Sequence, residues 1–356
     1  MKLCKKDIIV LSILVILSIV STIFTFYNDR FYDKEIMKIT SIETTDKEIV
    51  TNPKGLHESY DTKLIIGVIT NKSNKGNIEK IIYQESYSSV ITDKYKVGDK
   101  VFISNHDIDG LKRDTYIVII SSIFIIFMYI LGRIRGLITI FNIIFSILLF
   151  YFSLELYFKG LNLLLLCIIE IIIFSIISLL VASGKNKKTF SAIISTIVSV
   201  FIVLILCMII FKLTDYKGTN INELSFLTVP FEDVFICSII MGGLGAIMDV
   251  AITMSSSISE LIEKDNNISS KSLIKSGKMI GKDIMGTMIN VLFFTYLCSG
   301  LPIFVLALRN GFSLTNYINN SYSLEITRFL TGSIGIVVTI PISLFIAIKI
   351  FKKEVK

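Results

Sequence analysis

The chain is 356 residues long, 53% hydrophobic and 18% charged, with a formal net charge of +7. Apolar runs of about eighteen residues or more, each able to cross a hydrocarbon core of about 30 Å as helix, exclude a water-soluble globular class. The positive charge does not predict nucleic-acid binding, because in such a chain it belongs to the loops that set orientation.

Residues 1–27 read as a cytoplasmic tail and an anchor helix. Lys2, Lys5 and Lys6 precede an apolar run from Ile8 to Phe26, and no small-residue cleavage site follows, so the helix is expected to remain attached. Residues 28–113 are polar and mixed in charge, with alternating runs at 34–43, 62–70, 77–83 and 100–104. Turn chemistry separates them at Asn52-Pro-Lys-Gly55, Asn71-Lys-Ser-Asn-Lys-Gly76 and Val97-Gly-Asp99. About five short strands predict a small OB- or SH3-like β-barrel, the one part able to fold in water. His57 and His106 lie here, and His106-Asp-Ile-Asp109 is expected to be a solvated loop and not a metal site.

Residues 114–356 hold seven further spans, near 115–132, 137–158, 161–182, 190–212, 233–256, 283–306 and 328–349. The expected fold class is therefore an α-helical polytopic membrane protein of about eight transmembrane helices, with one β domain between the first two. Cys4 precedes the first span, and Cys167, Cys207, Cys237 and Cys298 lie in apolar runs. Neither a disulfide framework nor a zinc spacing is expected, and no cofactor is implied.

Charge bias sets the orientation. One side receives Lys2, Lys5, Lys6, Arg133, Arg135, Lys185, Lys187, Lys188, Lys264, Lys271, Lys275, Lys278, Lys282, Lys349, Lys352, Lys353 and Lys356. The other receives Lys159, Lys212, Lys217, Arg309 and Arg328. Positive-inside bias then predicts both termini in the cytoplasm and residues 28–113 outside. Within 257–282, Lys271, Lys275, Lys278 and Lys282 repeat at helical spacing beside Leu273, Gly277, Ile280 and Ile284. That pattern predicts an interfacial amphipathic helix whose lysines contact lipid headgroups.

The candidate site is a pair of polar stripes. Asp249, Thr253, Ser256 and Glu260 are spaced to share one helical face, and Asp283, Thr287 and Asn290 share one on the next span. A carboxylate at bilayer depth costs about 2.5–3.5 kcal/mol on insertion scales, so it normally faces the bundle interior or water. Such carboxylates with hydroxyls between them could bind or relay a cation, H⁺ before others. The alternative is packing: Gly242, Gly243, Gly245 and Ala246, and Gly286 opposite, would admit a close helix that Asp249 hydrogen-bonds. Glu170, alone among isoleucines, is open to either role; Glu155, at a span end, is expected to be solvated.

The run Gly242-Gly-Leu-Gly-Ala-Ile-Met-Asp249 through Glu260, with Gly281-Lys-Asp-Ile-Met-Gly-Thr-Met-Ile-Asn290, resembles the YibE/F family of bacterial multispan membrane proteins. Gly67-Val-Ile-Thr-Asn-Lys-Ser-Asn-Lys-Gly76 and Tyr95-Lys-Val-Gly-Asp99 resemble the same family's N-terminal region. The resemblance implies a bacterial cytoplasmic membrane location and no particular reaction. Asp249 followed by Glu260, then a polar-starting helix, is more faintly similar to the aspartate helix of SecDF and other RND permeases, which implies carboxylate-driven motion by analogy only.

Three functions follow as expectations. The first is a transport-related protein in which Asp249 and Asp283, supported by Glu260, Asn290, Thr253 and Thr287, handle H⁺ or another cation, with a substrate or protein partner at the β domain. The second is a non-catalytic scaffold or accessory subunit. The third is an aspartyl intramembrane protease, for which Ile280-Gly-Lys-Asp283 lacks the glycine immediately before the second aspartate; no catalytic residue is otherwise nominated.

Overall fold

The computed structural model describes residues 5–51, 57–87, 92–215, 231–309 and 311–352. The turn expected at Asn52-Pro-Lys-Gly55 lies outside these, as do Lys2, Cys4, Lys217, Lys353 and Lys356. The chain divides into two compact units, Met1–Leu137 and Ile138–Lys356.

The first unit opens with helix α1 (Lys5–Tyr27) and a short 3-10 turn, Asn28–Phe31. Five strands follow: β1 (Glu35–Thr51), β2 (His57–Ile69), β3 (Ile78–Ser86), β4 (Lys100–Ser104) and β5 (Asp107–Leu111), before helix α2 (Asp114–Gly132). They form one antiparallel sheet in the order β3-β2-β1-β4-β5. Alternation drives it: Met37, Ile39, Ile65, Ile69, Ile81, Tyr95, Val101 and Ile103 are buried together on one face. At the β1 bulge between Ile39 and Ser41 the strands approach so closely that a Cβ at Gly67 would sit 2.7 Å from the Lys38 carbonyl oxygen.

Two expectations are corrected here. The sheet is open and not a closed OB- or SH3-like barrel: among the described residues β3 and β5 are its two edges with no ladder between them, although they approach where His106 touches Glu79 and where Ile81 shares the core with Ile108 and Leu111. In addition, His106-Asp-Ile-Asp109 is not a loop but the turn and start of β5, where Asp109 pairs with Lys34 at 2.9 Å. The first two strands are also longer than the alternating runs, and the distal half of β1 is exposed.

A buried polar mount ties the sheet to α1 and α2. Lys112, with its side chain 2% exposed, donates to the Thr25 carbonyl at 2.6 Å and lies 3.1 Å from Asp114 and 3.5 Å from Asp29. Lys100 pairs with Asp29 at 2.6 Å, and Asn28 and Tyr32 both donate to Asp114.

The second unit contains the rest of α3 (Ile134–Phe158), then α4 (Leu163–Ser183), α5 (Lys187–Thr214), α6 (Phe231–Lys264) and α7 (Ser270–Arg309). A one-turn α8 (Leu314–Tyr317) and a π turn lead into α9 (Ser323–Lys352). Among the described residues, eight helices are long and apolar enough to cross a membrane. They coincide with the eight apolar segments read from the sequence.

α6 is central, packed by α4, α5, α7 and α9. Small residues set the closest crossing: a Cβ at Gly243 would lie 3.2 Å from the Gly332 Cα, and one at Gly335 2.8 Å from Ile247. Around it runs a buried hydroxyl set, Ser191, Ser195, Thr196 and Ser199 on α5, Ser255 on α6, and Thr331, Thr339 and Ser343 on α9. Ser255 donates to Ser191 at 3.1 Å, whereas Ser195, Thr339 and Ser343 bond back to carbonyls one turn earlier.

Candidate functional site

The two polar stripes lie on outward faces of α6 and α7. Val250, Met254 and Ile258 are fully buried, and lie about 90–170° round the helix from the stripe of Asp249, Thr253, Ser256 and Glu260. Asp249, Thr253 and Glu260 are consequently exposed, and Ser256 is half-buried. Met248 and Ile252 turn toward α4 and α5, while Ala246 packs with α7 and α9, so Asp249 sits between these two flanks. On α7, Asp283, Thr287 and Asn290 are likewise exposed, opposite the buried Leu273, Gly277, Gly281 and Leu292.

Depth follows from the neighbours. The Cys237 thiol lies 3.9 Å from the Leu163 carbonyl at one end of α4, and Leu179 clusters with Ala251 near the other. α4 is about 30 Å long at 1.5 Å per residue, and Asp249 falls about two-thirds of the way along it, toward Ser183. A Cβ at Gly277 would meet Ile258 and one at Gly242 would meet the Tyr296 hydroxyl, which sets the antiparallel α6–α7 register. Asp249 is thus level with Thr287, and Asp283 lies about one turn, roughly 5–7 Å, nearer the 265–269 connection.

The two aspartates lie about one turn apart along the hairpin, and among the described residues no hydrogen bond joins them. Among the described residues the Asp249 carboxylate has no ion pair and no hydrogen bond. Its neighbouring hydroxyls are engaged with backbone: Thr253 donates to the Asp249 carbonyl at 2.7 Å, and Thr287 to the Ile284 carbonyl at 2.9 Å. The shared-proton dyad of an aspartyl protease is not assembled here. Of the small residues, Gly243 abuts Gly332 and Gly242 faces Tyr296, while a Cβ at Gly245 or Gly286 would meet nothing within 4 Å.

The interfacial helix expected between 257 and 282 is not a separate element. α6 continues to Lys264 and α7 starts at Ser270, so only five residues connect them. The apolar stripe Leu273, Gly277 and Gly281 packs on α9 through Leu344 and Ile340, in line with the rest of α7, which is why no break occurs. Lys271, Lys275, Lys278 and Lys282 remain exposed along its first turns.

One acidic group is placed more deeply than any stripe residue. Glu170 on α4 is only 4% exposed, beside Ser153 of α3 and Cys167, and its Oε1 has no hydrogen-bond partner. Its isolation among isoleucines was the only trace it left in the sequence. Among the described residues, no group of three or more His, Cys, Asp or Glu side chains is arranged to hold a metal ion.

The groups available are therefore carboxylates on the exposed faces of two long apolar helices, with hydroxyls and an amide at helical spacing beside them. Residues 120–353 match the family model described as YibE/F-like protein, and residues 30–119 match the YibE/F family N-terminal domain. The chain belongs to the YibE/F family. The YibE/F N-terminal match contains all five strands, and the YibE/F-like match contains α3 to α9 in full, with Asp249, Asp283 and Glu170 inside it. No curated protein and no solved structure matches the chain.

Proposed function

We propose that this YibE/F chain is a multi-pass protein of the cytoplasmic membrane, transport-related, in which Asp249 binds and releases a cation, H⁺ before others. The supporting observation is an unpaired carboxylate on the outward face of the central helix, at the depth of apolar α4. Facing hydrocarbon, that charge would cost about 2.5–3.5 kcal/mol, which favours a wet path or a protonated state. Asp283, one turn away along the hairpin, and Glu260, three turns along α6, extend the path, with Thr253, Thr287 and Asn290 as polar steps. Both termini lie in the cytoplasm and the sheet outside, where the exposed distal β1–β2 arm meets a substrate or partner.

The test is proton flux in vesicles reconstituted with full-length protein and loaded with a pH-sensitive dye. The parent should dissipate an imposed pH gradient faster than empty vesicles, and Asp249→Asn should abolish the difference. Equal rates for parent and variant would remove the relay.

A second function has its own support. Gly245 and Gly286 stand open beside the exposed stripes, a surface that a second protein could cover in a non-catalytic scaffold. In that case Asp249→Asn alters assembly on a sizing column and leaves ion movement untouched.

A further inference from the structure

A groove of about 620 Å³ runs between the first turns of α7 and the last turns of α9, away from Asp249. Its size falls in the range of ligand pockets, about 300–1,000 Å³. The antiparallel register is fixed by Gly281 on Ile340, Gly277 on Leu344, and the 3.0 Å hydrogen bond from Lys352 to Ser270. From Pro341 to Lys352 the groove extends roughly 16 Å along α9.

Its chemistry is graded along that length. Pro341, Phe345 and Ile274 form an exposed apolar floor, and Phe345 is 68% exposed. Lys278, Lys349 and Lys352 form the rim, and among the described residues no carboxylate lines it. The lysines of α9 stand at the end of the helix, beyond the apolar floor. An occupant must then be anionic at one end and hydrocarbon at the other, which is the chemistry of an anionic phospholipid.

We propose that this groove binds one anionic phospholipid, its phosphate held by Lys349 and Lys352 at the helix end, and its acyl chain laid over Phe345 and Pro341, past Lys278 on the flank. General headgroup attraction would spread over every exposed lysine of α7. A built site concentrates on the two, Lys349 and Lys352, that close the end of the apolar floor. Lys271 and Lys275, exposed on α7 but absent from the groove lining, serve as the internal control.

The experiment is native mass spectrometry of the detergent-purified full-length chain, titrated with phosphatidylglycerol or with phosphatidylcholine of the same acyl chains. The parent should bind one phosphatidylglycerol per chain at least roughly tenfold more tightly than phosphatidylcholine. Lys349→Gln with Lys352→Gln should weaken phosphatidylglycerol roughly 25-fold, about fivefold per lysine, whereas Lys271→Gln with Lys275→Gln leaves it unchanged. Phe345→Ser, which keeps every charge, should weaken both lipids and guards against a lysine variant that fails to fold. Equal binding of the two lipids, or undiminished phosphatidylglycerol binding in the Lys349/Lys352 variant, overturns the site. Displacement of phosphatidylglycerol by inorganic phosphate alone also overturns it, leaving a plain anion site. None of these outcomes bears on Asp249, so the relay stands or falls separately.

Discussion

Lys112 offers the sharpest test of how the sheet is held to α1 and α2. Replacing it by Met keeps the length of the stem and removes the charge, leaving Asp29 and Asp114 facing one another with less compensation. Breaking a buried ion pair by removing one partner costs about 3–5 kcal/mol. The lower end applies here, because Lys100 still neutralises Asp29 at 2.6 Å and Asp114 still accepts from Asn28 and Tyr32. A loss of about 3 kcal/mol corresponds to roughly a hundredfold rise in the open population. The readout is amide hydrogen exchange of β4, β5 and the start of α2 in full-length protein held in nanodiscs, where protection should fall by about that factor. Lys112→Met combined with Asp114→Asn should recover part of the loss, since the stranded carboxylate goes with its partner. Protection in Lys112→Met within about threefold of the parent would refute the argument, because the three acceptors round Lys112 would then be satisfied by water at little cost.

Three further outcomes follow from the packing and the site. Gly243→Leu should destabilise the bundle by about 1–3 kcal/mol, since no space exists beside the Gly332 Cα, whereas Gly245→Leu should be near neutral; thermal unfolding in detergent separates them. Tyr95 has its hydroxyl pKa raised by burial and by the neighbouring Tyr83, and Tyr83 is raised by burial too. A raised folded pKa keeps its stabilisation below the unfolded tyrosine value near ~10 and loses it as pH climbs above that, so the sheet should weaken in strong alkali. Tyr95→Phe should flatten that dependence in circular dichroism melts taken from neutral to alkaline pH; an unchanged slope would count against it. Asp249→Asn should eliminate proton flux, while Asp283→Asn, one turn away, should slow it without eliminating it.

Much of this architecture could be read from the letters, and what could not has a common cause. Hydropathy placed the eight helices because an apolar run of bilayer length has few other stable solutions. Alternation placed the strands of the sheet, yet closure depends on whether the two edge strands, β3 and β5, pair with one another, and pattern within a strand does not name its partner. Lys112 looks like any lysine in a polar stretch, since its burial is decided by Thr25, Asp29 and Asp114 from elsewhere in the chain. The hydroxyls of α5 and α9 barely disturb a hydropathy average, though Ser191, Ser195 and Ser199 at +4 intervals mark the buried face. Spacing correctly gathered Asp249, Thr253 and Glu260 on one side of α6 but could not choose which side was packed.

That choice matters for mechanism. The inward face of α6 is apolar with single hydroxyls such as Ser255, which donates to Ser191, although the helices packed round it carry buried unpartnered groups of their own, Glu170 Oε1 on α4 and Thr196 Oγ1 and Ser199 Oγ on α5. The outward face of α6 holds Asp249. On the proposed relay, the path from Asp249 follows the surface of α6 between its α4 and α7 flanks. Substituting Ser255 by Ala should leave proton flux intact even where it lowers stability, and the same substitution abolishing flux without unfolding would move the pathway inward.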